Sequence, residues 1–216
     1  MIEIVIPKKR ILVLIDGFNL YHSIADNKDH PELRKYKWLN LRKLVEPFVF
    51  RNKEEITRIV YFSAYAYWSR EKVLRHQTYV SALRTISVEP IISPFKLVER
   101  ECQICKKKYK THEEKQTDVQ IAINLFQEAI EDSYDKAIII SGDSDLIPAI
   151  KAVKSKFPLK EIKILFPPRR RMVELTTVCD SSAKIKEKHL AAAQFPDTIR
   201  LGENARLDKP SKWTEV

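Results

Sequence analysis

Four aspartates, Asp16, Asp118, Asp143 and Asp145, hold the side chains best suited to chemistry in this sequence. Asp16 ends the apolar run Ile11-Leu12-Val13-Leu14-Ile15. Asp143 and Asp145 follow a second run, Lys136-Ala137-Ile138-Ile139-Ile140, across Ser141-Gly142. An aspartate at a strand end is by itself an ordinary turn or cap residue, and the Asp143–Asp145 doublet alone is explained if one caps and the other faces water. Two strand ends and Asp118 together read differently. Four neighbouring carboxylates repel one another, and their pKa values rise unless a cation joins them. Hard oxygen donors suit Mg²⁺ or Mn²⁺, ions that keep several waters and bind phosphate oxygens directly. Such an ion activates water and stabilises charge on a phosphate under attack. Asn19 can orient Asp16, bind a water or phosphate, or act as a plain N-cap. Ser141 can donate to a carboxylate or phosphate, or serve as a turn residue.

The elements that must position these groups alternate. Continuous apolar runs at 11–15, 56–64, 86–92, 136–140 and 162–166 read as strands, several buried on both faces as in a parallel sheet. The spacing predicts a helix from Ser69 to Leu83, capped by Ser69. A stripe of Val119, Ala122, Ile123, Phe126 and Ile130 predicts a second helix. Thr117 with Gln120 resembles a capping box and puts Asp118 in its first turn. Pro148 fits only a first turn, so another helix begins near Asp145. The pattern predicts an α/β class: a Rossmann-like, mainly parallel sheet flanked by helices. In such sheets, sites form outside the carboxyl ends of strands. Residues 1–195 form the domain, residues 93–115 a β-hairpin or small knuckle inserted in it, and 196–216 a polar tail along the surface or partly disordered.

The net charge of +10 over 216 residues suggests a polyanionic partner, nucleic acid first, with a solvated basic surface as the plain alternative. Basic residues follow rather than precede the apolar N-terminal stretch, and no run is long enough to span a bilayer; a soluble cytoplasmic protein is expected. Three glycines leave no Gly-rich phosphate loop.

Leu14-Ile15-Asp16-Gly17-Phe18-Asn19-Leu20, Lys115-Gln116-Thr117-Asp118-Val119 and Ser141-Gly142-Asp143-Ser144-Asp145, in that order, resemble the NYN domain, in its LabA-like branch of the PIN-like nucleases. The resemblance covers about residues 10–190. It implies RNA phosphodiester cleavage at a one- or two-metal site in which Asp16, Asp118, Asp143 and Asp145 are the acids and Asn19 the family's asparagine. Gln116-Thr117 departs from the small or glycine-containing pair usual before that acid. A haloacid dehalogenase phosphatase would need an acid where Phe18 stands. A sugar transferase using Asp143-Ser144-Asp145 leaves Asp16 and Asp118 unexplained. A non-catalytic RNA-binding adaptor on the same fold is the serious alternative.

Cys102-Gln103-Ile104-Cys105 has the spacing of a metal knuckle, yet a structural zinc needs four ligands. Two readings stand: zinc completed by His112 and a distant or partner-chain ligand, or two reduced, packed cysteines. Tyr61 reads as core, while Tyr67 and Trp68 read as platforms for single-stranded bases. Arg169, Arg170 and Arg171, with Lys106, Lys107 and Lys108, are expected to flank the acidic crevice and hold phosphates. Lys184, Lys186 and Lys188 read as a charged helix face. Single-stranded RNA is the expected partner, with a second copy of the chain as another candidate.

Overall fold

The computed structural model describes residues 7–26, 30–170, 172–202 and 205–213. Strand β1 (Lys9–Asp16) leads through α1 (Gly17–Ala25) and the short α2 (Leu41–Val45) to β2 (Glu54–Ala64). Helix α3 (Arg70–Arg84) and β3 (Glu89–Ser93) follow, then the hairpin β4 (Phe95–Glu101) and β5 (Lys108–Glu114). The second half runs α4 (Thr117–Ile130), β6 (Lys136–Ile140), α5 (Ile147–Lys156), β7 (Glu161–Phe166), α6 (Val173–Val178), β8 (Ser181–Lys184) and α7 (Glu187–Ala192). A small hairpin, β9 (Thr198–Arg200) and β10 (Arg206–Asp208), closes it.

Six strands form one parallel sheet in the order β3-β2-β1-β6-β7-β8. Strand β1 is central because its side chains are apolar on both faces. Ile11, Val13 and Ile15 enter one core with α1, α2, α3 and α7, while Leu12 and Leu14 enter the other with α4, α5 and α6. The chain walks outward from β1 to β3, then returns to place β6 on the other side of β1. That reversal opens a crevice at the carboxyl ends of β1 and β6, where open α/β sheets bind ligands. Among the described residues no helix is long and apolar enough to cross a membrane.

Several local readings change. The buried face of α4 is Ile121, Leu125 and Ala129, whereas Val119, Ile123 and Ile130 are more than half exposed. Two apolar stripes run down this helix, and periodicity alone does not say which one meets the sheet. No capping box forms at Thr117. Its backbone N–H and hydroxyl donate to the Glu114 carboxylate instead. Gln116, just before, sits in the left-handed region at φ 78°, a conformation glycine adopts at least cost, which is where the sequence departs from the family's usual pair. Strand β8 was not legible because Ser181-Ser182-Ala183-Lys184 lacks an apolar run. Lys184, Lys186 and Lys188 therefore share no helix face: Lys184 ends β8, Lys186 caps α7 and Lys188 lies within it. The tail is not a surface strand of polar chain. Trp213 is buried against Trp38 and Tyr79, because one large aromatic outweighs the polar residues around it.

Candidate active site

Asp16 is the last residue of β1 and the N-cap of α1, where its side chain accepts from the Asn19 N–H at 2.9 Å. Its second oxygen accepts from the Ser141 hydroxyl at 2.9 Å. That hydroxyl in turn accepts from the Asp143 N–H at 3.1 Å. The Asn19 side-chain oxygen reaches across to accept from the Gly142 N–H at 3.1 Å. Asp143 caps the turn that carries Asp145, accepting from its N–H at 3.0 Å. Asn19 and Ser141 are thus positioning residues that tie the end of β1 to the end of β6. Gly17 makes the close approach possible: a Cβ there would fall 2.6 Å from the Phe62 carbonyl and 2.5 Å from the Tyr61 ring.

Asp16 is only 4% exposed. Burial pushes its carboxyl up to about 6, against the pull of the Asn19 and Ser141 hydrogen bonds, with Asp143 and Glu114 raising it further. Asp118, in the first turn of α4, is also pushed up to about 6, first by burial and then by Asp143, Asp16, Glu114 and Asp145. Asp16, Asp143 and Asp145 therefore all lie within electrostatic reach of Asp118. Glu114 is a fifth acid that sequence reasoning missed. Its signal was an acid three residues before the helix, and its oxygen both caps α4 and faces the cluster.

Among the described residues, no three His, Cys, Asp or Glu side chains are grouped so as to hold a metal ion. The acids of the cluster do not form a closed cage. This donor set, all oxygen and mutually repelling, still fits a hard cation of the Mg²⁺ or Mn²⁺ type, which keeps much of its water and takes few protein ligands. Asp16, Asp118, Asp143 and Asp145 are the residues that would hold it.

The other candidates separate. Arg170 packs its Cβ against Gly142, where an added Cβ would come within 2.9 Å of it, so this basic loop lies directly over the acidic turn. Arg169 is exposed beside it and within electrostatic reach of Glu32, and Arg171 lies outside the described residues. Lys106, Lys107 and Lys108 do not flank the crevice. They sit at the far end of the β4–β5 ribbon, six residues and roughly 20 Å from Glu114, with Lys106 and Lys108 near Glu101 and Glu99. The ribbon also keeps His112 from the cysteines. His112 pairs with Leu97, five residues short of Cys102, a separation of roughly 17 Å. Its ring instead stacks on Trp68 at 3.8 Å. Cys179 lies at the opposite edge of the sheet, just before β8. A zinc site from Cys102, Cys105 and His112 of one chain is therefore excluded by the ribbon's length. Tyr61 is core, as its alternation implied, while Tyr67 and Trp68 are 66% and 44% exposed beyond the end of β2.

Beside the acidic turn a cavity of about 550 Å³ is lined by Gly17, Phe18, Trp68, His76 and Glu114 among others. Burial lowers His76 to about 4, so the ring is neutral when folded. Because that value lies below the ordinary one, the stability His76 contributes is fully present above about pH 6.5 and is lost as pH falls toward 4. The loss amounts to about 3 kcal/mol. Asp16, raised, works in the opposite sense, losing its contribution as pH rises from about 4 to 6. Urea unfolding of His76→Gln across this range should show a shallower acid decline than wild type. Parallel curves would remove His76 from the pH response.

Comparison with known proteins bears on the fold and the family. A solved structure of a protein of unknown function, VPA0982 from Vibrio parahaemolyticus RIMD 2210633, superposes with a TM-score of 0.58 at 17% identity. It covers 83% of this chain and 94% of that one, which is a likeness of fold. The chain is 26% identical to 6-hydroxy-3-succinoylpyridine 3-monooxygenase HspA of Pseudomonas putida (strain DSM 28022 / S16), over 94% of this chain and 75% of that protein. The family model of the NYN domain matches residues 10–186, from the second residue of β1 past the end of β8, and so takes in every acid of the cluster: the chain belongs to the NYN domain family.

Proposed function

We propose that this protein is a metal-dependent ribonuclease acting on single-stranded RNA. The observation that carries the reading is the coupling of Asp16, Asp118, Asp143 and Asp145 at the switch point of the sheet, beneath a basic loop. NYN domains are nuclease-like, and these acids occupy the family's motifs. A divalent cation bound there would act as a Lewis acid toward the phosphate and lower the pKa of an attacking water. The chain's own residues do the rest. Asn19 and Ser141 fix the Asp16 carboxylate so that it cannot rotate away. Arg169 and Arg170 take flanking phosphates, and Tyr67 and Trp68 offer faces for unpaired bases. Incubating the protein with mixed RNAs and Mn²⁺, with and without EDTA, tests the reading. Cleavage that EDTA stops supports it, and intact RNA in both arms favours the adaptor alternative.

A second reading rests on the aromatic cavity and on the relative whose name describes hydroxylation of a substituted pyridine. In it the same fold takes a heteroaromatic small molecule as substrate. Turnover of such a compound by protein that leaves RNA intact would favour it.

If Arg170 holds a phosphate, Arg170→Ala should weaken RNA binding to a similar degree for all sequences. It should also lower the slope of log affinity against log salt by about one counterion's worth. Filter binding from low to moderate salt in an Asp143→Asn background measures both. An unchanged slope would place Arg170 outside the RNA path.

A further inference from the structure

The floor of the 550 Å³ cavity is neutral: Tyr61, Tyr79 and His76, with the Tyr61 hydroxyl 3.4 Å from His76 Nε2. One wall is aromatic, with Trp68 stacked on His112 and set edge-on to Phe95. Cations reach the lining too. Arg75 is paired with Glu71. Lys37 is not: it is half-buried, and among the described residues its ammonium has no hydrogen bond or ion pair. Burial holds its pKa below the usual lysine range, and Arg34, Arg75 and Lys209 push it the same way. A cation stripped of part of its water and surrounded by like charge is poorly satisfied until an anion arrives. The volume falls in the class that takes small-molecule and cofactor ligands.

We propose that this cavity binds a planar heteroaromatic ring carrying an anionic group, the ring against Trp68 and the anion at Lys37. Gly17 and Glu114 line it, so the ligand lies beside the acidic cluster. The site stands under either functional reading. Two sources supply such chemistry, a nucleotide of an RNA strand and a free heteroaromatic acid. Titration calorimetry with uridine 5′-monophosphate and pyridine-3-carboxylate, beside uridine, pyridine-3-carboxamide and inorganic phosphate, separates them. At least one anionic ring should saturate the protein, with its neutral counterpart bound about tenfold more weakly, as expected for losing one charge-assisted contact. Lys37→Met should abolish that tenfold preference and Lys37→Arg restore it, while Trp68→Leu weakens both members of the pair. Binding by the nucleotide alone assigns the site to RNA; binding by the pyridine acid alone assigns it to a free metabolite. Equal affinity for charged and neutral rings, unaltered preference in Lys37→Met, or no saturable binding would overturn the proposal.

The tip of the β4–β5 ribbon carries a separate chemistry. Cys102 and Cys105 stand at this turn, the first half-buried and the second exposed. The Cys102 N–H donates to the Lys107 carbonyl, its own carbonyl accepts from Lys106, and Lys106 adopts φ 58° to close the turn. That closed turn holds both cysteines of the CxxC at one end of the ribbon. Among the described residues no third His, Cys, Asp or Glu is grouped with them to hold a metal, and Ile104 beside them is 94% exposed. We infer that Cys102 and Cys105 form half of a tetrahedral zinc site completed by the same pair from a second copy. Zn²⁺ with four thiolates carries two net negative charges, which the tip lysines of both copies offset. Without metal the same lysines repel, so the dimer depends on zinc. The thiols release their protons to solvent on binding. Light scattering on the full chain, zinc-loaded and then EDTA-treated, should show a dimer that dissociates, with about one zinc per two chains. Cys102→Ser should be monomeric in both conditions. One zinc per monomer, an unchanged mass in Cys102→Ser, or a Cys102–Cys105 disulfide in purified protein would overturn it.

Discussion

Asp16→Asn and Asp143→Asn should each reduce metal-dependent RNA cleavage on the order of a thousandfold, the scale set by a positioned catalytic group, without unfolding the protein. Asp16 is buried and its carboxyl sits near 6. At pH 7 in metal-free buffer the ionised form therefore costs about 3 kcal/mol relative to its unfolded state. Asparagine removes the charge and keeps the bond that Oδ1 accepts from the Asn19 N–H; at Ser141 the bond reverses, the new amide donating to the hydroxyl oxygen, whose proton must turn to another acceptor. Asp143→Asn keeps the oxygen that caps Asp145. Both variants should melt at or above wild type in EDTA. Adding Mn²⁺ should raise the melting point of wild type alone, because only its site retains the full charge. Wild-type cleavage by either variant would remove that residue from the mechanism, and a variant that melts far below wild type in EDTA would show its carboxylate to be structural.

Gly17→Ala should be as damaging to activity and worse for the fold. The methyl group would lie 2.6 Å from the Phe62 carbonyl and 2.5 Å from a ring carbon of Tyr61. The first obstacle is backbone in the sheet and the second a buried ring, so neither gives way easily. Overpacking of this kind costs typically about 1–3 kcal/mol, or roughly 2–12 °C in a domain of this size. Asp16 and Phe62 are partners in the β1–β2 register, so relief by separating the strands moves Asp16 off Ser141. Gly202→Ala is the control. Nothing stands within 4 Å of its added carbon, and only its φ of 142° opposes the change. Equal stability of Gly17→Ala and wild type would show that the contact is not fixed.

The sheet was legible because its strands are short apolar runs that end in chemistry. Ile11–Ile15 and Ala137–Ile140 are apolar on both faces, and only a central parallel strand demands that. Asp16 and Asp143 could be read together for the same reason. Glu114 could not, since its position depends on a hairpin that returns the chain to the β1 end, and composition does not reveal where a hairpin ends. The distance between Cys102 and His112 was equally hidden: a ribbon separates residues that are near in sequence. On α4, Val119 and Ile123 lost the core to Ile121 and Leu125 because the helix is apolar on two sides. The basic segments were visible as charge, but whether a lysine faces the crevice or the end of a ribbon is a matter of topology.

Strand β1 is made early and completed late. Ile15 pairs with Tyr61 on one side but with Ile140 on the other, so during synthesis one edge of an apolar strand stays open while more than half the chain is added. Parallel pairing at such sequence separation is slow, and an open apolar edge is sticky. The docking of β6 that covers this edge is also the step that brings Ser141, Asp143 and Asp145 to Asp16. Any chain that stalls before it has an aggregation-prone sheet and no acidic cluster, so the functional centre and solubility are won in the same folding event.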